Sequence, residues 1–294
     1  MRTPMTATYP IAARTEAGPV QARGEVVSNT PVGDYFHLTL AAPGIATRTR
    51  PGQFVALAVG GSPSAMLLRR AFSVYRADVD ADTVGIVLAV HGKGTAWLAA
   101  LRSGDRVDVV GPLGRPFELP ERPTDCVLVA GGYGSAPMFG LAGRLRERGC
   151  AVHLVLGAAT ESRLFGVAEA ERVADSVTVT TDDGTTGVRG LVTDPLPDLV
   201  GRTRARQVYA CGPMAMLRAV SAVAEAYDAR SQCAVEEAMA CGVGVCMTCV
   251  LPVVGDDGVT RMVRSCVEGP VFAGDRVRWD AVGTIPEGTW GRGT

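Results

Sequence analysis

Four cysteines near the C-terminus constrain this chain most: Cys241, Cys246, Cys249 and Cys266. The first three read Cys-x4-Cys-x2-Cys, and sixteen residues separate the third from the fourth. This is the ligand spacing of a plant-type [2Fe–2S] cluster. Three ligands on so short a loop must wrap closely around the cluster. Gly242 and Gly244 let the backbone take positive φ and turn N–H groups toward sulfur. Two other readings compete. A structural zinc site usually takes paired Cys-x2-Cys knuckles, and only one such pair is present. Ordinary buried thiols would not bunch four within 26 residues. Cys126, Cys150 and Cys233 stand apart and read as small apolar residues.

The chain has 294 residues, room for two or three domains with real cores. Its 29 basic and 30 acidic residues nearly cancel, which argues against a nucleic-acid surface or an acidic tail. Eight cysteines, half of them bunched, are too few for a disulfide scaffold. Residues 1–20 lack the continuous apolar stretch of a signal peptide, and no apolar run approaches the ~20 residues that cross a bilayer. A cytoplasmic protein without membrane contact is expected.

Residues 1–20 are rich in Pro, Thr and Ala without periodicity and read as a flexible arm. Over 21–118, short apolar runs alternate with Gly, Pro and Asp: Gly24–Val27, Tyr35–Leu40, Gln53–Val59, Ala71–Tyr75, Val84–Val90 and Arg106–Val110. Such spacing predicts an antiparallel barrel or sandwich, with one helix at Ala96–Leu101. Over 119–228 the pattern changes. Compact runs at Cys126–Ala130, Val152–Gly157, Ser176–Thr180 and Gln207–Cys211 alternate with helical stretches, the last at Met214–Tyr227. That is the signature of a doubly wound parallel sheet. Residues 229–294 form a third unit around the cysteines, with a hairpin turning at Gly255-Asp-Asp-Gly258.

Two motifs fall in the barrel region. In Arg69-Arg70-Ala71-Phe72-Ser73, strand alternation puts Arg70 and Phe72 on one face, although an arginine before a strand is usually only surface charge. Gly92-Lys-Gly94-Thr95 opens the helix. Its N–H groups suit a phosphate, or Thr95 is a simple cap. Pro51-Gly-Gln-Phe54 and Gly111-Pro-Leu-Gly114 read as framing turns.

Three motifs fall in the α/β region. Gly131-Gly132-Tyr-Gly134-Ser-Ala-Pro137 joins a strand to a helix, with Pro137 in the first turn. Its glycines let backbone close on a dinucleotide's phosphates, or merely make a turn. Cys211-Gly212-Pro213 ends the last strand and puts a soft side chain where a nicotinamide ring could stack, so Cys211 is the expected catalytic position. Asp182, in Thr181-Asp-Asp-Gly184, suits a ribose diol and repels a 2′-phosphate, favouring NADH, unless these acids only shape a turn.

Together these residues resemble the electron-transfer subunits of dihydroorotate dehydrogenase B, in the ferredoxin-NADP reductase superfamily, over 21–280. Glu236-Glu237 and Cys266-Val-Glu-Gly-Pro270-Val-Phe strengthen the likeness. The resemblance implies an antiparallel flavin-binding β-barrel (21–118), a nicotinamide domain (119–228) and a small iron–sulfur module (229–294). It implies FAD held by Arg70, Ala71, Phe72, Ser73, Val87, Leu88, Ala89, Gly94 and Thr95. It implies NAD(H) as substrate at Gly131, Gly132, Gly134, Asp182, Gly212 and Pro213, and a cluster on the four cysteines. The expected partner is an FMN-containing catalytic subunit of pyrimidine biosynthesis, in a two-plus-two heterotetramer. Related modules serve hydrogenases, transhydrogenases or monooxygenases, and a zinc-stabilised or redox-sensing binding module is the reading from another class. Ala71 stands where the family has Pro, and Leu88 and Ala89 stand where Tyr and Arg are common.

Overall fold

The computed structural model describes residues 18–61 and 64–291. Most of the expected N-terminal arm, residues 1–17, lies outside the described residues.

Six antiparallel strands close a barrel in the order β1-β2-β5-β4-β3-β6: β1 (Val20–Val32), β2 (Tyr35–Ala41), β3 (Phe54–Leu57), β4 (Arg70–Asp78), β5 (Thr83–Ala89) and β6 (Arg106–Leu113). Alternate residues point inward, and Leu38, Leu40, Leu57, Ile86 and Leu88 fill the interior. The helix expected at Ala96–Leu101 instead begins three residues earlier, as α1 (Lys93–Ala99). The Thr95 hydroxyl explains the shift. It accepts the N–H groups of His91 and Gly92 at 2.9 and 3.1 Å and so winds the glycine turn into the first helical turn. At the other end the Asn29 amide donates to the carbonyls of Leu98, Ala99 and Leu101 at 3.0–3.1 Å. These carbonyls lie at or just beyond the helix C-terminus, where intrahelical donors run out, so β1 fixes where α1 sits, and Leu98 is buried in the barrel core.

The second sheet runs β10-β9-β8-β7-β11-β12-β15. Its strands are β7 (Asp125–Gly131), β8 (Ala151–Ala158), β9 (Ser176–Thr181), β10 (Val188–Arg189), β11 (Gln207–Cys211), β12 (Arg230–Ala234) and β15 (Val271–Ala273). All neighbours are parallel except β12 and β15. Helices α2 (Ala136–Glu147) and α3 (Val167–Val173) cover one face, and α4 (Leu196–Thr203) and α5 (Met214–Ala226) the other. Both faces are therefore dry. Along β7, Cys126, Leu128 and Ala130 enter one core while Val127 and Val129 enter the other. That is why the strand reads as an unbroken apolar run.

One expectation needs correction. Arg230–Ala234, assigned above to the cysteine unit, is the sixth strand of this sheet. The segment contains no β-branched or aromatic residue, so nothing local marks it as a strand. The antiparallel hairpin β13 (Val250–Val254) and β14 (Thr260–Arg264) stands apart, and Leu251, Val253 and Val263 pack into the same core as α4 and α5. Its turn closes with the Gly255 N–H on the Val259 carbonyl (2.9 Å).

The barrel and the α/β unit share one core. Tyr75 of β4 meets Phe165 and Phe139 edge-on, with ring centroids 5.3 and 6.0 Å apart. Glu169 of α3 accepts hydrogen bonds from the Tyr75 hydroxyl and, at 2.7 Å, from Arg76. Burial first, then the Glu169 bond and charge, push Tyr75 up to about 12. Replacing Glu169 by Ala leaves this hydroxyl and guanidinium without their shared acceptor. The change is expected to lower stability by about 1–3 kcal/mol, read as a shifted urea midpoint at unchanged slope.

Candidate functional site

The two weak motifs of the barrel come together. At the start of β4, the Arg70 guanidinium lies directly over Gly94. A Cβ at Gly94 would be 2.8 Å from Arg70 Nε, so any larger residue there would displace the guanidinium. Arg70 donates to the Leu68 carbonyl at 2.7 Å, and no carboxylate pairs with it among the described residues. An unpaired guanidinium beside a glycine cradle suits a pyrophosphate. Further along β4, Phe72 packs on the barrel core and Ser73 pairs with Phe54 of β3, while Ala71 packs against the cysteine region. On β5 the three expected residues divide. Leu88 points into the barrel, 1% exposed, whereas Val87 and Ala89 face the core shared with the α/β unit.

A groove of about 460 Å³ opens at the C-terminal ends of the parallel strands. It lies where the chain leaves β7 toward β8 and β9, then returns as β11 on the other side of β7. Open α/β sheets bind their ligands at this switch point. Gly131, Gly132, Asp182 and Pro213 line the groove as expected. Gly134 and Gly212 do not. They pack the two glycine turns together: a Cβ on Gly134 would lie 2.6 Å from the Cys211 carbonyl oxygen, and one on Gly212 3.1 Å from the Gly131 nitrogen. Cys211 is 2% exposed and lies behind the wall. Burial raises its thiol pKa well above the usual value, and the charges of Glu236 and Cys233 add to the rise. Burial thus disfavours the thiolate at Cys211.

Other groove residues lie outside the site residues expected from the sequence. Tyr35 reaches over from the barrel and donates to the Arg163 carbonyl at 2.8 Å. Arg163, Met216 and Glu236 complete the wall. Burial raises the carboxyl pKa of Glu236, and Tyr133 rises to about 12 from burial first and then from the Glu236 charge. These residues come from five separate segments and meet only in the fold. A second cavity of about 570 Å³, beside Pro197, Arg202 and Tyr227, holds none of the expected residues.

The cysteines lie against the outside of the barrel. Cys249 and Cys266 are each 2% exposed and pack on Phe54 and Ala56 of β3 and Leu113 of β6. Cys266 follows β14 on a turn rather than on a strand. The Ser265 N–H donates to the Cys249 carbonyl at 2.8 Å, which holds the two cysteines side by side. Cys246 is exposed beside Cys241. Gly242 and Gly244 take φ of +71° and +85°, so the Val243 and Val245 N–H groups point at the Cys241 sulfur at 3.5 and 3.4 Å. Burial opposes ionisation of Cys241, but N–H groups of Cys246, Val243 and Val245 outweigh it and bring the thiol down to about 6. Burial first, then Cys249, push Cys266 up to about 12.

This donor set fits an iron–sulfur cluster. All four donors are sulfur, arranged as two pairs, and a two-iron cluster needs two thiolates at each iron. Among the described residues no three Cys, His, Asp or Glu groups are placed to hold a single metal ion. The Ser265 hydroxyl, next to Cys266, is fully buried with no acceptor. Such a group needs a partner, and cluster sulfur would provide one. Of the predicted changes at the site, Gly134→Ala is the sharpest. It must spread the paired glycine turns and so weaken NADH binding about tenfold or more, a loss of roughly 1.4 kcal/mol. Calorimetry with NADH checks this, with flavin content unchanged.

Comparison with known proteins follows the same division. A family model for the iron–sulfur cluster binding domain of dihydroorotate dehydrogenase B matches residues 236–278, and one for an oxidoreductase NAD-binding domain matches 128–222. The electron transfer subunit of dihydroorotate dehydrogenase B (NAD(+)) from Geobacillus kaustophilus is 41% identical, covering 82% of this chain and 92% of its own. That from Listeria innocua is 35% identical, covering 88% and 99%. Among solved structures, an NADH-dependent reduced ferredoxin-NADP oxidoreductase superposes with a TM-score of 0.77 at 32% identity, covering 88% of this chain and 91% of that one. An Amycolatopsis cytochrome P450 reductase, at 23% identity and a TM-score of 0.60, shares the fold. With such identity over nearly the full length of these relatives, the chain belongs to the family of dihydroorotate dehydrogenase B electron-transfer subunits.

Proposed function

We propose that this chain relays electrons between NAD(H) and a partner enzyme through FAD and a [2Fe–2S] cluster. One observation carries the reading: Cys249 and Cys266 pack on β3 and β6, and Ala71 of the flavin motif on the adjoining strand β4 packs in the same cluster. In this arrangement FAD supplies the exchange between a two-electron hydride and single electrons, and the cluster supplies the one-electron exit.

The chain's own residues bind, orient and exclude water. Arg70 and Gly94 hold the FAD pyrophosphate, with Thr95 keeping the turn wound. Phe72 and Ser73 border the flavin along β4, and Val87, Ala89 and the Leu88 backbone border it along β5. Gly131 and Gly132 let the nucleotide backbone approach, while Gly134, Gly212 and Pro213 hold that turn in place. Cys211 stays a neutral thiol behind the ring-binding wall and shapes it. The raised pKa of Glu236 lets this carboxyl keep its proton to higher pH than a free one. Asp182 accepts the ribose hydroxyls, which favours NADH. Cys241, Cys246, Cys249 and Cys266 ligate the cluster. Eight free thiols fit a reducing, cytoplasmic setting. No helix among the described residues is long and apolar enough to cross a membrane.

For the partner we infer a dihydroorotate dehydrogenase catalytic subunit, which the relatives' names support, and propose that it contains FMN and joins two-plus-two, as the sequence resemblance implies. A second reading has support from the likeness to the NADH-dependent ferredoxin-NADP oxidoreductase: the same module on another redox partner. Mixing the anaerobically purified chain with such a dehydrogenase subunit separates the two. The first reading expects dihydroorotate-dependent NAD⁺ reduction and co-elution at a two-plus-two mass. Turnover by neither component together nor apart would sink it. Within either reading, Asp182→Asn weakens a charge-assisted bond worth about 1.5–3 kcal/mol. The KM for NADH with an artificial acceptor should rise about tenfold or more while that for NADPH rises less.

A further inference from the structure

One arginine joins the two segments that carry the cysteines. Arg264 is the last residue of β14, two residues before Cys266. Its Nη1 donates at 2.9 Å to the carbonyl of Gly244, midway along the loop between Cys241 and Cys246. Its Nε and Nη2 donate to the Glu268 carboxylate at 3.2 and 2.6 Å, and its backbone N–H reaches the same carboxylate at 2.8 Å. The chain closes the turn around Cys266 in return, with the Glu268 N–H on the Arg264 carbonyl at 2.8 Å. The two side chains are 34% and 20% exposed, so solvent screens the pair only in part. A Cβ on Gly244 would collide with Val267 and lie 3.4 Å from Arg264 Nη1, so loop and turn are in direct contact.

Two consequences follow. A planar guanidinium with donors committed on both sides is a rigid brace, because its fork geometry sets the angle between its acceptors. Here the acceptors belong to the loop that carries Cys241 and Cys246 and to the turn that carries Cys266. The guanidinium is also a fixed cation beside the cysteines, two residues before Cys266 and bonded to the loop between Cys241 and Cys246. One-electron reduction adds negative charge to a cluster, so a nearby cation favours the reduced form and a nearby carboxylate opposes it.

We propose that Arg264 is a positioning residue for the cluster, bracing the Cys241–Cys246 loop through Gly244 and raising the reduction potential against the opposing charge of Glu268. This rests on the reading that the four cysteines hold a [2Fe–2S] cluster.

The test uses the anaerobically purified full chain with its flavin. The readouts are an EPR-monitored potentiometric titration of the cluster and the rate at which an iron chelator bleaches it. R264Q removes cation and brace, and its potential should fall. E268Q removes the opposing carboxylate, and its potential should rise. The gap between the two is expected to reach at least about tenfold in the reduction equilibrium, about 59 mV for one electron. R264K keeps the charge without the fork. Its potential should stay nearer wild type than that of R264Q, while the chelator strips its iron several-fold faster than wild type. If R264Q fails to hold a cluster, R264K and E268Q decide the matter. A purely structural brace would give R264Q and E268Q equal lability and no opposed shift. Potentials that move in the same direction, or not at all, overturn the proposal. Wild-type protein without iron and sulfide would overturn the cluster reading itself, and this inference with it.

Discussion

Electrons pass through protein only between carriers held close together, and in this chain that closeness rests on one contact. Cys249 and Cys266 sit against Phe54, Ala56 and Leu113 on the outer face of the barrel. The contact needs small residues on both sides. A Cβ at Gly242 would lie 3.6 Å from that of Ala56, so a larger side chain at either position would push the loop away. Ala71, on the neighbouring strand, has its side chain in the same cluster. Alanine here packs against the cysteines while keeping a backbone donor that a proline would lack.

The segment after Cys266 shows how the contact is held. Gly269-Pro270-Val271-Phe272 reads in the sequence as part of a cluster motif, yet none of it ligates. Pro270 lies against Gly114 of the barrel, where a Cβ would meet the proline ring at 2.5 Å. The Pro270 carbonyl accepts the Val235 N–H at 2.9 Å, and Val271 then pairs with Ala234 of β12. Four residues thus tie the cysteine turn to the barrel on one side and to the nucleotide sheet on the other. The barrel and the sheet are joined directly by Tyr75, Arg76 and Glu169. Each of the three expected sites is therefore braced against the other two.

Much of this was legible from residue patterns, for physical reasons. The cysteine spacing is informative because few loops place three sulfurs within nine residues. Strands such as Cys126–Ala130 are visible because both their faces are buried. Arg230–Ala234 is not visible in the sequence because a strand of Arg, Ser, Gln, Cys and Ala has no propensity to announce it. The helix at Lys93–Ala99 was placed late because the Thr95 hydroxyl turns a glycine loop into helix, an effect no periodicity shows. The groove was half legible. Gly131, Gly132, Asp182 and Pro213 follow strand ends, where a motif can be read. Tyr35, Arg163 and Met216 belong to a barrel strand, a loop and a helix, and only tertiary structure brings them to one wall. Arg70 and Gly94 lie between these cases. Each is a weak local signal, and the guanidinium lying over the glycine is what makes them a pair.

The central claim is that nicotinamide, flavin and cluster form one conducting series within this single chain. An anaerobic titration of the isolated protein with NADH, followed by visible absorbance and low-temperature EPR, tests it most directly. The account predicts that the flavin band bleaches and that a reduced [2Fe–2S] signal grows with it, without any partner protein. A cluster that dithionite reduces but NADH does not, in protein whose flavin NADH has bleached, would contradict it.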